Sequence, residues 1–411
     1  MAGPSVAEPQ PRRRGRDTVR WILGIALVLA IAIGAWEIVR VVGDARERAG
    51  LAAFYEQPAD ALDGEPGTLI RSEELQGVPF ESRAWRVMYR SLDLNGQPVV
   101  VTGTVITPES LVPLEPGQER VVLAWGHPTT GIAPDCAPSR SFDPFVLIEG
   151  LRLMLERGYT VVAPDYVGMG TAGPNSYLVG RTAGNSMLDG VRAARAIPEA
   201  RAGADVVLWG HSQGGQAVLF AAQQAPEYSP ELTVRAVAAA APAADLTALM
   251  GSHLDDISGV TIGSYAFSAY AEIYGPTTPG AELEDILTPD ALKVVPTMTP
   301  LCLLTQTKEL HAIGQPLVGN FTQVNPTTSD PWKSLLEENS AGAVAFDAPL
   351  FIAQGKDDEL VLPADTVTFV EHEKSLGMDV TLHEVAGATH GTIAYLTLPA
   401  LDLWLDSNSR G

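Results

Sequence analysis

Cysteine and basic residues are both scarce in this chain of 411 residues. Only Cys136 and Cys302 are present, and neither has the neighbours of a metal site; there is no Cys-x-x-Cys and no His-Glu-x-x-His motif, so we expect no metal. The 27 Lys and Arg face 49 Asp and Glu, which gives a net charge of −22. This acidic balance argues against nucleic acid as a partner and against electrostatic docking to anionic lipid.

Charge of either sign is sparse overall, at 18% of residues, whereas 46% are hydrophobic. A chain of this composition buries a large core and is not disordered. We find no internal repeat and no low-complexity tract, and the length fits one elaborated α/β domain. If the chain is exported, its two cysteines can form a disulfide; two buried free thiols are the alternative.

The N-terminus holds a long uncharged hydrophobic run. Residues 1–50 carry eight Arg against five Asp or Glu, and the uncharged run covers residues 21–36. Residues 21–42 are long enough to cross a bilayer if Glu37 and Arg40 lie at the far interface. We therefore predict a cytoplasmic basic segment at 1–20 and a membrane anchor at 21–42, which would place the body outside the cytoplasm. A cleaved signal peptide, leaving a secreted protein, and a buried core helix are the alternatives.

The body begins after residues 43–80, whose Gly, Pro and Glu content predicts a linker leading into the first strands. Alternation and the turn "LNGQ" predict an antiparallel hairpin over 82–108. Apolar strands and helices then alternate. The predicted strands are 121–125, 159–163, 206–209, 234–241 and 350–353, and the predicted helices are 144–157, 183–196 and 213–225. This rhythm predicts an α/β fold with a mostly parallel, doubly wound sheet covered on both faces.

The rhythm stops over about a hundred residues, at 243–346, where helical pieces follow one another without a strong strand. A structureless loop of that length is improbable in a compact domain. We predict an inserted helical cap there, and a core made of 81–242 and 347–411. The aromatic and aliphatic content of the cap favours a lid or acyl-binding wall over a scaffold without substrate contact.

The segment "VVLWGHSQGG", at 206–215, indicates the reaction. A strand followed by Gly-His-Ser-Gln-Gly and a helix presents Ser212 on a sharp turn, and the helix N-terminus favours developing negative charge. A serine hydroxyl needs a base and an orienting acid, which in this arrangement follow the nucleophile in the order acid, then histidine. His211 precedes the nucleophile directly, and we expect it to pack or hydrogen-bond elsewhere.

The acid and the base are expected on loops that leave later strands. Asp358 lies three residues after Gly355 and three before Val361, the usual spacing, so it is preferred over the adjacent Asp357. His390, in "GATHG", directly follows the alternating stretch "DVTLHEV" at 379–385, which is also a predicted strand, and has small neighbours. The other histidines after the acid fall in a helix and within a strand, so His390 is the predicted base.

The oxyanion formed by attack on a carbonyl needs two positioned donors. The backbone N–H of Gln213, after the nucleophile, is predicted as one. The loop after the strand 121–125 is predicted to supply the other, through the N–H and hydroxyl of Thr129; a plain turn is the alternative.

Together these motifs resemble the secretory lipase family of α/β-hydrolases, over about residues 65–405. The segments that carry the resemblance are "WGHPTTGIAPDCAPS", "APDYVGMG", "YLVGRTAGNSMLDGVRAAR", "GHSQGG", "GKDDELV" and "GATHG". The resemblance implies a Ser212, Asp358 and His390 triad, a cap over an acyl tunnel, hydrolysis of carboxylic esters including acylglycerols, and no cofactor. It also implies a disulfide between Cys136 and Cys302. In one departure, Pro128 replaces the family's usual glycine, which removes one donor but leaves the Thr129 N–H.

The sequence therefore predicts a serine esterase or lipase that works through an acyl-enzyme on a small-molecule or lipid ester. Two rivals remain. An acyltransferase would use the same triad and pass the acyl group to an alcohol, and a non-catalytic cell-surface protein would keep only the fold.

Overall fold

The computed structural model describes residue 3 and residues 50–109 and 112–409. Two units are distinguished, Met1–Glu56 and Gln57–Gly411. In the first, residues 50–55 are helical, and the predicted basic segment at 1–20 and anchor at 21–42 lie outside the described residues. Within the described ranges, no helix is both long and apolar enough to cross a bilayer.

The second unit is built on one sheet, in which nine strands are described. They are β1 Leu69–Glu74, β2 Ser82–Leu92, β3 Pro98–Pro108, β4 Arg120–Gly126, β5 Thr160–Pro164, β6 Ala202–His211, β7 Thr233–Ala240, β8 Leu350–Gly355 and β9 Val380–Val385. Their spatial order is β1-β2-β3-β5-β4-β6-β7-β8-β9. The first three strands and β5 pair antiparallel, and the pairs from β5 onwards are parallel. The expected α/β class, with antiparallel strands at its start, is confirmed.

Twelve helices are described in the same unit. They are α1 Leu151–Glu156, α2 Gly180–Arg195, α3 Gln213–Tyr228, α4 Leu246–His253, α5 Ile257–Tyr274, α6 Leu283–Ile286, α7 Pro289–Met298, α8 Leu303–Gly314, α9 Trp332–Glu338, α10 Pro363–Ser375, α11 Ile393–Leu396 and α12 Leu398–Asn408. Short 3₁₀ turns lie at Pro134–Cys136, Pro138–Arg140, Pro198–Ala200 and Gln315–Leu317.

Two of these elements differ from the sequence-based expectation. β1 lies inside the segment 43–80 that was expected as linker, so part of that segment belongs to the sheet. The helix expected over 144–157 begins only at Leu151, because Gly150 before it adopts a left-handed conformation with φ of +90°.

The central strands are buried on both faces, which explains their unbroken apolar sequences. In β6, Val206 and Leu208 pack into a cluster with α2 and α3, whereas Val207 and Trp209 pack into a second cluster with α1 and α12. Alternate side chains of one strand thus enter opposite layers, as a doubly covered sheet requires.

Between β7 and β8 the chain forms α4 to α9 and adds no strand to the sheet. Aromatic side chains hold this segment together; Phe267 and Trp332 meet edge to face at 5.3 Å between ring centroids. Both rings belong to the same buried cluster as Trp209 of β6. The helical segment expected at 243–346 therefore packs onto the sheet through a continuous apolar core.

Candidate active site

Ser212 lies between the end of β6 and the first residue of α3. Its φ of 56° and ψ of −116° are strained for a residue with a side chain. The backbone is held in this shape by two hydrogen bonds, from Ser212 N to Ala240 O at 3.0 Å and from Ala243 N to Ser212 O at 3.0 Å. The turn therefore projects the hydroxyl from the edge of the sheet, as the strand–turn–helix pattern predicts.

Glycines flank this turn because neighbouring backbone comes too close for a side chain. A Cβ on Gly214 would lie 1.9 Å from the carbonyl oxygen of Gly126, the last residue of β4. A Cβ on Gly210 would lie 2.1 Å from the carbonyl oxygen of Gly214. Since real Cβ atoms do not approach so closely, glycine is required at these positions.

The side chains of Ser212, His390 and Asp358 form a continuous line. His390 Nε2 is 2.9 Å from Ser212 Oγ, and His390 Nδ1 is 2.9 Å from Asp358 Oδ2. Asp358 is 3% exposed and Ser212 8% exposed. The structure thus brings together the three residues predicted as nucleophile, base and acid.

Asp358 is fixed by its own loop. Its Oδ1 accepts hydrogen bonds from the N–H groups of Leu360 at 2.9 Å and Val361 at 3.0 Å. Gln354 at the end of β8 donates to Oδ2 at 3.4 Å. Asp357 beside it is exposed to solvent. Only one of the two adjacent acids therefore faces the imidazole.

The two residues predicted as oxyanion donors lie in different local settings. Gln213 is the first residue of α3, where backbone N–H groups have no acceptor within the helix. The Thr129 hydroxyl lies 2.8 Å from the Tyr177 hydroxyl, and burial raises the pKa of Tyr177. The Thr129 hydroxyl is therefore engaged by Tyr177. Both donor roles remain predictions.

Two other polar residues near the loop after β4 have structural partners. Asp165 accepts hydrogen bonds from the Thr102 hydroxyl at 2.6 Å and the Ser139 N–H at 2.8 Å, which fits a structural role. His127 is buried against the Tyr166 ring, and burial lowers its pKa. In the described ranges, no group of three His, Cys, Asp or Glu side chains is placed to hold a metal ion.

Sequence reasoning did not predict the partner of His211. His211 Nδ1 lies 2.9 Å from Glu149 Oε2, and the His211 ring packs 5.0 Å from the His390 ring, centroid to centroid. No local pattern marks Glu149, because the loop between β4 and α1 brings it to the elbow from a distant part of the sequence. The expectation that His211 packs or hydrogen-bonds elsewhere was too general to identify this carboxylate.

A disulfide joins Cys136, in the loop after β4, to Cys302 at the start of α8. A backbone hydrogen bond from Leu303 N to Thr130 O, 2.8 Å long, lies close by. The helical segment at 243–346 is therefore attached, covalently and by a hydrogen bond, to the loop that carries Thr129.

Replacing both cysteines by serine is expected to lower the free energy of unfolding by about 2 to 5 kcal/mol, because the bond closes a long loop in the unfolded chain. We also expect kcat to fall, since the loop carrying Thr129 loses its covalent link to the helical segment at 243–346. Denaturant unfolding of the double variant, beside the wild-type protein with and without reductant, measures the first effect. Unchanged stability in both comparisons would contradict the expectation.

Comparison with known proteins identifies the family and the fold. The profile of the secretory lipase family matches residues 146–411. Lipase A of Arthroderma benhamiae is 26% identical over 389 residues, covering 87% of this chain and 79% of the relative. A Mycobacterium tuberculosis protein described as a probable inactive lipase is 24% identical, covering 87% and 82%. Candida antarctica lipase A in its closed state superposes with a TM-score of 0.72 at 19% identity, covering 86% and 84%. The chain therefore belongs to the secretory lipase family and is a carboxylic ester hydrolase with the α/β-hydrolase fold.

Proposed function

We propose that the chain hydrolyses acyl esters, acylglycerols among them, through a covalent acyl-enzyme on Ser212. The observation that carries this proposal is the unbroken line from Ser212 Oγ through His390 to Asp358, with both contacts at 2.9 Å. Nucleophile and base within hydrogen-bond reach, and a third group orienting the base, are what serine catalysis requires.

In the first half-reaction, His390 Nε2 takes the hydroxyl proton while Ser212 Oγ attacks the ester carbonyl carbon. The tetrahedral intermediate then collapses, the bond to the alcohol oxygen breaks, and His390 returns the proton to that oxygen. In the second half, His390 takes a proton from water, which attacks the acyl carbon, and Ser212 leaves with the proton. Asp358 keeps the His390 proton on Nδ1 and stabilises the imidazolium.

The negative oxygen of each tetrahedral intermediate is assigned to the N–H groups of Gln213 and Thr129. The position of Gln213 at the start of α3 supports this assignment, because the helix N-terminus favours negative charge. We assign the helical segment 243–346 as the cap that walls the acyl group. Its attachment to the Thr129 loop through Cys136 and Cys302 supports that role.

The same family membership supports an extracytoplasmic location, and a disulfide persists in an oxidising compartment. We propose that residues 21–42 deliver the body there, as an uncleaved anchor or as a signal peptide. Cell fractionation with detection of a C-terminal tag, together with N-terminal sequencing of the mature protein, distinguishes the two.

The function is tested with p-nitrophenyl esters from acetate to palmitate, in water and in water with an added alcohol. We expect hydrolysis of the series, with free acid as the main product, and labelling of Ser212 by a fluorophosphonate. A folded protein that neither hydrolyses any ester nor reacts with the probe would refute the proposal. Ester formation with the alcohol as the main outcome would show an acyltransferase instead.

A further inference from the structure

A buried pair, Glu149 and His211, lies next to His390, the base of the proposed reaction, and has no role in it. Glu149 is 6% exposed and His211 3% exposed. His211 Nδ1 and Glu149 Oε2 are 2.9 Å apart but lack the alignment of a hydrogen bond. In the described part of the chain, these two atoms have no hydrogen-bond partner, and neither has His211 Nε2. Buried polar atoms without a hydrogen bond are destabilising, so a cluster of three requires an explanation.

The pair is held rigidly in place. The main-chain oxygen of Glu149 accepts a hydrogen bond of 2.9 Å from Trp209 Nε1 in β6. Gly150 follows in its left-handed conformation, directly before the first residue of α1. His211 is the last residue of β6, directly before Ser212. Sheet and helix therefore fix both side chains relative to the nucleophile.

Three side chains lie next to the Glu149–His211 pair, either directly or through His390. They are His390, Asp358 and Tyr395. The His211 ring lies 5.0 Å from the His390 ring, tilted by 42°. Asp358 contacts the His390 ring at Nδ1. Tyr395 of α11 lies near Glu149, and burial together with this carboxylate raises the pKa of Tyr395. Asp358 thus contacts His390 directly, whereas Glu149 reaches it only through the His211 ring.

The charges of the pair bear directly on the reaction. His390 becomes a cation each time it takes a proton, and a cationic His211 against its ring would oppose that step. A neutral His211 with an ionised Glu149 would instead favour it, because a buried carboxylate interacts strongly with a nearby cation in a medium of low dielectric constant.

We propose that Glu149 and His211 are positioning residues for His390. The His211 ring supports the imidazole from one side, and the Glu149 carboxylate stabilises its cationic form, in addition to Asp358. This inference rests on the proposed function, since it assumes that His390 is the base.

The test compares Glu149→Gln with the wild-type protein in kcat/KM for a p-nitrophenyl ester from pH 4 to 9. Glutamine has nearly the same shape and no charge. We expect kcat to fall by about tenfold with KM little changed, and the acid limb of the profile to move to lower pH by about 0.5 to 1 unit. The direction follows because a base that loses a neighbouring anion takes up its proton at lower pH.

Two further variants separate charge from packing. Glu149→Asp keeps the charge and should leave the acid limb near its wild-type position. Glu156→Gln removes an exposed acid of α1, paired with Arg152 on the surface, and should change neither kcat nor the profile. If Glu149→Gln does not fold, His211→Phe tests the same point. Burial without a partner disfavours the charged form of a carboxylate, and loss of that charge should shift the limb in the same direction.

A folded Glu149→Gln protein whose profile overlays that of the wild-type protein would overturn the inference. So would a fall in kcat without any movement of the acid limb, since that is the result of altered packing alone. Either outcome is distinguishable from failure of the proposed function, which would appear as an inactive wild-type protein.

Discussion

Replacing Ser212 by alanine is expected to lower kcat for ester hydrolysis by about 10⁵ to 10⁶-fold, because the acyl-enzyme has no other oxygen on which to form. The folded protein should be retained. Alanine keeps the strained φ of 56° without a new clash, and the backbone bonds to Ala240 and Ala243 remain.

The measurement is kcat on a short p-nitrophenyl ester, together with the extent of fluorophosphonate labelling. Ser375→Ala is the matched control, since this exposed serine at the end of α10 bonds only to the main chain of His372 among the contacts seen. The control should keep wild-type activity and labelling. If Ser212→Ala retained more than about one hundredth of the wild-type rate in active-site-titrated protein, another group would be the nucleophile.

The sheet and the elbow could be predicted from sequence because both depend on local patterns. Val206 and its neighbours form an unbroken apolar run, which is typical of a strand buried on both faces, and Gly210 and Gly214 mark the sharp turn. β1 was not predicted because its sequence, LIRSEE, is short and charged. It lies at the edge of the sheet and pairs with one neighbouring strand, β2. The start of α1 was predicted too early because the apolar residues before Gly150 were taken as part of the helix. The left-handed conformation of Gly150 interrupts the helix there.

The line of Ser212, His390 and Asp358 could be proposed from chain order, since each residue follows a predicted strand. Tyr177 and Glu149 could not, because each reaches the site through a contact with a residue far away in sequence, Thr129 in one case and His211 in the other. Such contacts depend on how loops cross above the sheet, and one sequence contains no periodic signal for that path.

Replacing Asp358 by asparagine is expected to lower kcat by about 10⁴-fold near neutral pH while leaving the fold intact. The reason lies in the two backbone N–H groups, of Leu360 and Val361, that donate to Oδ1. An asparagine must place its carbonyl oxygen there, since an amide NH₂ would face two donors. Its NH₂ then faces His390 Nδ1.

That orientation reverses the roles at the imidazole. His390 Nδ1 would have to accept a hydrogen bond, so the ring proton would move to Nε2, the atom that lies 2.9 Å from Ser212 Oγ. A protonated Nε2 cannot take the hydroxyl proton, and the base is held in the wrong tautomer. Activity should therefore fall although every side chain stays close to its original place.

Asp357→Asn provides the control, because the neighbouring acid is exposed and the structure gives it no contact with His390. We expect it to keep kcat within about twofold, as exposed substitutions away from a site usually do little. Steady-state kinetics of the two variants at several pH values make the comparison. A large loss in Asp357→Asn with wild-type rates in Asp358→Asn would assign the acid to Asp357 and reverse the preference drawn from its spacing.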